Sequence, residues 1–177
     1  MVELWLPQAD IPAEGRDFLF ADPAIWSEAW SEVWTDAQAP RREGVPLSAT
    51  LHVLFRQDGF FVSGVLTGSV VFPCNRCAED AEVELAFRFD DYLEPAGEEV
   101  DDVSELVRWG QKGLEFDAAG LLWEQLILAL PVKPLCRESC EGVCPVCGIN
   151  LNLEQCDCVK GASDPRWDAL KNLTASR

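Results

Sequence analysis

The chain has 177 residues, 48% of them hydrophobic, which is enough for one domain with an apolar core, alone or joined to a small metal-stabilised module. With 31 acidic and 14 basic residues its formal net charge is -17. The negative charge disfavours binding to bare nucleic acid and favours a basic protein partner. The alternative explanation is that the acidic residues only keep the protein soluble. No apolar run is long enough to span a membrane and residues 1–10 lack the features of a signal peptide, so we expect a soluble, cytoplasmic protein.

Residues 1–42 are predicted to form an N-terminal segment with one helix. Asp22-Pro23 is typical of a helix N-cap followed by proline at the first helical position. Three tryptophans then recur at a spacing of four residues, which places them on one face: Trp26, Trp30 and Trp34. Such a stripe either binds a partner or packs on the body of its own domain, and packing is the commoner use.

Residues 43–131 are predicted to form a β-sheet domain. Apolar residues alternate over residues 51–55, a turn sequence follows at 57–59, and a β-branched second strand covers residues 60–72. Alternation returns in a third strand over residues 82–89. The sequence therefore predicts an antiparallel sheet of at least three strands.

The first pair of cysteines, Cys74 and Cys77, lies in the turn between the second and third predicted strands. Two intervening residues let both sulfurs face one ion, as in a zinc knuckle. His52 is the one histidine of the chain, but it alternates with predicted core residues and has no cysteine near it in sequence. We therefore interpret His52 as an exposed strand residue and not as a metal ligand.

A strongly acidic stretch follows the third strand. Residues 90–105 contain eight acidic residues and no basic residue, so we predict an exposed loop there. No histidine accompanies these carboxylates, which disfavours a catalytic role for them.

One helix is predicted to be buried across the sheet. Asp117 is its expected N-cap, and residues 118–130 are apolar on most sides of the helix. Glu124 and Gln125 form its narrow polar strip. Pro131 is expected to end it.

Residues 132–160 are predicted to form a cysteine-rich metal module. Cys144-Pro-Val-Cys147 is followed by a glycine, which tolerates the positive φ that a zinc knuckle requires. Cys156 and Cys158 can complete a four-cysteine site with this pair.

Four cysteines remain for a second site, two in the strand turn and two beyond the helix: Cys74, Cys77, Cys136 and Cys140. Such a site would tie the module to the sheet. An alternative pairs Cys74 and Cys77 with Cys144 and Cys147 as a ribbon of two knuckles. We expect structural zinc, Zn2+, with two ions in all.

Three other uses of the cysteines are weighed against structural zinc. A redox-active CxxC normally opens a helix after a strand, and neither pair here has that setting. Catalytic zinc keeps an open position and usually has histidine ligands, whereas this chain has one histidine. An iron–sulfur cluster also takes four cysteines, and the sequence excludes it only weakly.

Several segments, taken in order, carry a family resemblance. They are the strand from Gly68 to Cys77 with its Cys-Asn-Arg-Cys turn, the acidic strand and loop, the helix ending Leu-Pro-Val-Lys-Pro-Leu-Cys, the Cys-Pro-Val-Cys-Gly-Ile-Asn-Leu-Asn segment, and Asp164-Pro165-Arg166. In this order they resemble the YceD family, the large-subunit ribosomal RNA accumulation proteins of bacteria and plastids. The resemblance covers residues 47–171, and residues 1–40 match less clearly.

The resemblance implies a role in the synthesis, processing or stability of large-subunit ribosomal RNA and a genetic association with a large-subunit ribosomal protein. It implies no established enzymatic activity. Six basic residues lie near the cysteines in sequence and either contact RNA phosphates or offset thiolate charge: Arg76, Lys133, Arg137, Lys160, Arg166 and Lys171.

The sequence thus predicts an α+β protein with an antiparallel sheet, a buried helix packed across it, a Cys-rich zinc-binding C-terminal module, and a short amphipathic helix within residues 161–177. We expect a non-enzymatic ribosome biogenesis factor that acts on large-subunit ribosomal RNA or through basic ribosomal proteins, without a membrane or a small-molecule substrate. The alternatives are a zinc-stabilised protein-binding adaptor or chaperone-like module unrelated to ribosomes and, third, a thiol oxidoreductase.

Overall fold

The structure, a computed structural model, describes residues 3–26, 47–95 and 106–158. Within these ranges all strand pairings are antiparallel, and none of the helices is long and apolar enough to cross a lipid bilayer. Besides a short 3₁₀ helix, Gln8–Asp10, the elements are β1 Trp5–Pro7, β2 Arg16–Phe20, β3 Ser48–Arg56, β4 Gly59–Pro73, β5 Asp80–Leu93, β6 Val107–Gly110, β7 Gly113–Asp117 and α1 Ala118–Ala129.

The predicted antiparallel sheet is confirmed and has four strands in the order β2-β3-β4-β5. β3 and β4 form the predicted hairpin, in which Arg56 pairs with Gly59. Gln57 in the turn has a φ of 54°, the left-handed conformation that two-residue hairpin turns favour. Buried residues alternate along β3, β4 and β5, so one face of the sheet packs on the core.

Four short strands are missing from the prediction. β1, β7 and β6 form a second, three-stranded sheet in that order, and β2 is an edge strand of the first sheet. The longest of these strands have five residues, which is too few for alternation to stand out from loop sequence. Their formation depends on pairing with segments far away in the chain.

β5 is longer than the predicted third strand. It runs from Asp80 to Leu93, so residues 90–93 are strand, and their assignment to the acidic loop was wrong. Acidic side chains on one face of a strand lie about 7 Å apart and remain in water, so they do not prevent pairing with β4. Residues 96–105 and the helix predicted within residues 161–177 lie outside the described residues.

The core lies between the two sheets and helix α1. Phe60 of β4 and Phe116 of β7 are fully buried, with ring centroids 4.9 Å apart. α1 begins at the predicted N-cap, where Oδ1 of Asp117 accepts a hydrogen bond from the Ala119 N–H at 3.1 Å. Three leucines of the helix are at most 1% exposed, which confirms the predicted buried helix: Leu121, Leu122 and Leu126.

Two details of the predicted helix were wrong. Gln125, assigned to the polar strip, is 8% exposed and donates a hydrogen bond to Oδ2 of Asp91 on β5 at 3.4 Å. Ile127 and Leu128, assigned to the buried surface, are 38% and 71% exposed. Hydropathy describes the surface of a helix but not the side on which the sheet lies, and a helix that is apolar on most sides can pack in several orientations.

The N-terminal segment is helical at residues 23–26. Oδ1 of Asp22 accepts a hydrogen bond from the backbone N–H two residues further on at 2.9 Å, as expected for an N-cap. Trp26 is 6% exposed and belongs to the main core, in agreement with the packing interpretation. Trp30 and Trp34 lie outside the described residues.

Candidate metal centre

β4 places the first cysteine on the core side of the sheet. Burial at every second residue continues from the strand to Cys74, which is 3% exposed. The turn that follows is closed by hydrogen bonds from the Cys74 N–H to the Glu79 carbonyl at 2.7 Å and from the Ala78 N–H to the Cys74 carbonyl at 2.9 Å. This turn returns Cys77 to the same side, where it is 6% exposed.

The structure brings this pair together with two cysteines from the segment after α1. All four sulfurs lie within 4.8 Å of one another, and we call the group the sheet site: Cys74, Cys77, Cys136 and Cys140. The Sγ atoms of Cys74 and Cys140 are 3.8 Å apart, and those of Cys77 and Cys136 are 3.7 Å apart. A disulfide would need about 2.05 Å. A tetrahedron with zinc–sulfur bonds of about 2.3 Å has edges of about 3.8 Å, so the sulfurs fit such an ion.

The second group lies within the module and uses no residue of the sheet. Its four sulfurs are also within 4.8 Å of one another, and we call it the module site: Cys144, Cys147, Cys156 and Cys158. The Val146 N–H donates to Sγ of Cys144 at 3.4 Å. Gly148 has a φ of 77° and donates its N–H to the Cys144 carbonyl at 2.9 Å, which closes the knuckle turn. The alternative ribbon of two knuckles does not occur in this geometry.

Backbone N–H groups lower the pKa of at least one thiol in each site. Burial raises the pKa of Cys74, but the surrounding N–H groups, Arg76 among them, outweigh it and lower this pKa from 9.0 to about 6. The N–H groups of Cys147 and Val146 lower the pKa of Cys144 to about 6. Both cysteines are therefore prepared to ligate a cation as thiolates.

Other thiols in the two groups are harder to ionise. Burial raises the pKa of Cys77 to about 12, and a hydrogen bond with Cys147 raises that of Cys158 to about 12. Four negative charges held this close together repel one another and need a cation to offset them. A divalent metal ion supplies that charge and displaces the thiol protons.

Asn152 links the two sites. It lies in the loop of the module site, but its Nδ2 donates to Sγ of Cys140 in the sheet site at 3.4 Å. Its Oδ1 accepts hydrogen bonds from the Glu141 N–H at 2.9 Å and from Nη2 of Arg137 at 2.8 Å. Oδ1 of Asn150 in turn accepts from the N–H and Nδ2 of Asn152 at 3.0 and 2.7 Å. Sequence reasoning missed this role, for which the Asn-Leu-Asn segment was the available signal.

Arg76 fastens the module to the turn between β4 and β5. Its Nη1 donates to the carbonyls of Glu138 and Cys140 at 3.2 and 2.7 Å. Its own carbonyl accepts a hydrogen bond from the Val143 N–H at 3.0 Å. Gly142 has a φ of +78°, and a Cβ there would lie 2.9 Å from the Arg76 carbonyl oxygen, so the close approach requires glycine.

These contacts decide what two of the basic residues near the cysteines do. Arg76 and Arg137 both donate to protein oxygens, so an RNA phosphate would have to compete with bonds already made. Lys160, Arg166 and Lys171 lie outside the described residues.

His52 lies on the exposed face of the four-stranded sheet and belongs to neither cysteine group. Its Nδ1 is 2.6 Å from Oδ1 of Asp17 on β2. Ser63 is opposite His52 on β4, but within the described part of the chain no hydrogen bond joins their side chains. Asp17, His52 and Ser63 therefore lack the hydrogen bond between base and hydroxyl that a catalytic triad requires. The interpretation of His52 as an exposed strand residue is confirmed.

Comparison with known proteins shows that the chain matches one protein family. The family described as Large ribosomal RNA subunit accumulation protein YceD matches residues 62–174. A chloroplast protein of Arabidopsis thaliana, named as a homologue of that protein, is 22% identical over 158 residues, covering 74% of this chain and 49% of the plant protein. No solved structure matches the chain.

Bacterial relatives are also found. An uncharacterised protein of Mycobacterium tuberculosis is 28% identical over 135 residues, covering 74% of this chain and 63% of its own length. One of Mycobacterium leprae is 29% identical over 141 residues, covering 75% of this chain and 61% of its own length. The chain thus spans from about half to less than two thirds of the length of these relatives.

Proposed function

Because the chain belongs to the YceD family, we propose that it is a non-enzymatic ribosome biogenesis factor that supports the synthesis, processing or accumulation of large-subunit ribosomal RNA. The observation that carries this proposal is the match over residues 62–174, which includes β5, α1 and both cysteine sites. The family is named for the accumulation of an RNA and not for a reaction. A cytoplasmic location and action on the RNA or through basic ribosomal proteins are part of the proposal.

Zinc is the metal we propose for both sites. Four cysteines complete a tetrahedral shell and leave no open position for a substrate, which is the pattern of structural and not of catalytic zinc. When bound, zinc supplies a cross-link whose binding free energy becomes folding free energy. In the sheet site, the two cysteine pairs that it would join are 59 to 66 positions apart in the chain.

The function is tested by depleting the protein in the cells that encode it. We expect large-subunit ribosomal RNA to fall relative to small-subunit RNA, measured on total RNA, and to recover when the intact chain is supplied again. A chain carrying Cys77→Ser should not restore the RNA. An unchanged ratio of the two RNAs in depleted cells would contradict the proposed function.

The metal is tested on protein purified without added metal. Elemental mass spectrometry should find about two zinc ions per chain, with no visible absorption band. Iron together with a visible band would assign an iron–sulfur cluster instead. A metal-free protein with a reducible Cys74–Cys77 disulfide would favour the hypothesis of a thiol oxidoreductase and contradict the assignment of zinc.

A further inference from the structure

The outward side chains of β5 are mostly acidic. They alternate with side chains that face the core, and Arg88 is the one basic residue among them: Asp80, Glu82, Glu84, Ala86, Arg88, Asp90 and Tyr92. Among the described residues no ion pair involves Glu82, Glu84 or Asp90. Their partners across the ladder on β4 are uncharged. The carboxylates of Glu82, Glu84 and Asp90 therefore make no ion pair with a cation in the described part of the chain.

An exposed aromatic pair lies at one end of the same face. Phe61 of β4 and Tyr92 of β5 are opposite each other, with ring centroids 4.4 Å apart. They are 48% and 39% exposed. Aromatic rings left in water to this extent favour contact with a partner, and their faces attract guanidinium groups.

β5 is also an edge of the four-stranded sheet. In the described part of the chain it pairs only with β4, along all 14 of its residues. Main-chain N–H and C=O groups on the other side of an edge strand are a template for another strand. The acidic side chains of β5 repel a second copy of the same edge, but they attract a basic chain.

The inward side of this edge is apolar apart from Asp91, and two of its apolar side chains are only partly covered. Val83 and Phe87 pack against the main core and are half-buried. A strand placed beside β5 would therefore meet carboxylates on one face and apolar side chains on the other. The strand that complements these two faces of β5 is one in which basic and apolar residues alternate.

We propose that the edge of β5 binds an extended, basic segment of another protein, which adds to the sheet as a strand. Arginine or lysine side chains of the segment lie beside Glu82, Glu84 and Asp90, and the intervening apolar side chains cover Val83 and Phe87. This inference deepens the proposed function, on which it rests for the source of the segment, a basic ribosomal protein. Nucleic acid does not fit the site, because phosphates would meet the same carboxylates.

Binding is tested with the full, metal-loaded chain and a short fluorescent peptide that alternates arginine with valine or threonine, followed by anisotropy. We expect saturable binding that weakens as salt is raised. A peptide of the same composition in scrambled order, which loses the alternation, should bind about tenfold more weakly. The absence of peptide binding, or tighter binding of a single-stranded RNA oligonucleotide at this edge, would overturn the proposal.

Matched variants locate the site. The triple variant Glu82→Gln, Glu84→Gln and Asp90→Asn should weaken the peptide about tenfold, since three exposed ion pairs are lost. The triple variant Asp10→Asn, Glu14→Gln and Glu154→Gln removes the same charge from exposed residues elsewhere and should change affinity less than about twofold. Thermal unfolding confirms that both variants fold. An equal loss of peptide affinity in the two variants would show that only the net charge matters, and this would contradict the proposal.

Strand addition makes a further demand on the peptide backbone. Methylation of every second amide nitrogen removes the hydrogen-bond donors from one edge of the peptide and leaves those of the other edge intact. Two peptides are compared, one methylated at odd positions and one at even positions. Only the peptide whose intact edge faces β5 should bind. Equal binding of both would exclude strand addition. A dimer of this chain that the peptide dissociates would assign the edge to a second copy instead.

The two proposals fail separately. If the peptide does not bind but depletion still lowers large-subunit RNA, the docking site is wrong and the function stands. If the peptide binds but depletion changes no RNA, the edge is a docking site for a basic segment of another origin.

Discussion

At the scale of single residues, Asn152 is the side chain that reaches from the loop of the module site to a sulfur of the sheet site. Asn152→Leu keeps the approximate size but removes the bonds to Sγ of Cys140 and to the Glu141 N–H. We expect a loss of about 1–3 kcal/mol of unfolding free energy, because a buried acceptor and a donor lose their partner. Zinc should leave the sheet site faster, measured with a colorimetric chelator, although the residue belongs to the loop of the other site.

The control for this variant is Leu153→Asn in the same loop, where the side chain is 76% exposed. It should leave both the unfolding temperature and the rate of zinc release unchanged. If Asn152→Leu behaved like this control, the hydrogen bonds of Asn152 would contribute nothing to the free energy of unfolding or to zinc retention.

Glu124 gives a prediction for pH. Burial raises the pKa of this carboxyl group, and the charge of Asp91 raises it further. A carboxyl group whose pKa is higher in the folded state favours folding below its unfolded pKa, and this advantage is lost as the pH rises through the folded value. Glu124→Gln should therefore raise the unfolding temperature at pH 7.5 by on the order of 1–2 °C, and by less at about pH 5. A larger gain at the lower pH would contradict this.

At the scale of elements, the two sites are built into the chain in different ways. The sheet site joins the turn after β4 to the segment after α1, and three of its cysteines are at most 6% exposed. The module site is closed within residues 144–158, and Cys147 is exposed. We therefore expect the module site to exchange its metal first.

Cysteine variants test this difference. Cys147→Ser should lose one of two zinc ions and leave the circular dichroism of the sheet largely intact. Cys77→Ser should also lose one ion but lower the unfolding temperature more, because it releases the end of α1 from the sheet. Unchanged metal content in Cys147→Ser would contradict the assignment of the module site.

At the scale of the whole molecule, the apolar core and the metal sites are separate. The main core comes from both sheets and α1, whereas three cysteines of the sheet site form a second buried cluster with Ala81. Removal of metal by a chelator should therefore expose residues 132–158 to protease while the β-sheet signal in circular dichroism persists. Loss of the entire β-sheet signal on chelation would mean that the core depends on the metal.

The features that depend on near neighbours in the chain were predictable from the sequence. Alternation over residues 51–55, a turn sequence and a β-branched run predicted the β3–β4 hairpin. Asp117 followed by an apolar run predicted the start of α1. Cysteine spacing favoured two sets of four, and the structure brings the same two sets together. That these sets bind zinc stays a prediction.

The surfaces that meet in the folded chain could not be predicted from the sequence. β1 pairs with β7 across more than a hundred residues, and its three residues carry no pattern of their own. The side on which α1 meets the sheet buried Gln125 and exposed Leu128, and the approach of the module placed Asn152 against Cys140. The physical reason is that periodicity reports neighbours along one strand or helix, whereas pairing and packing join groups that are distant in sequence and adjacent only after folding.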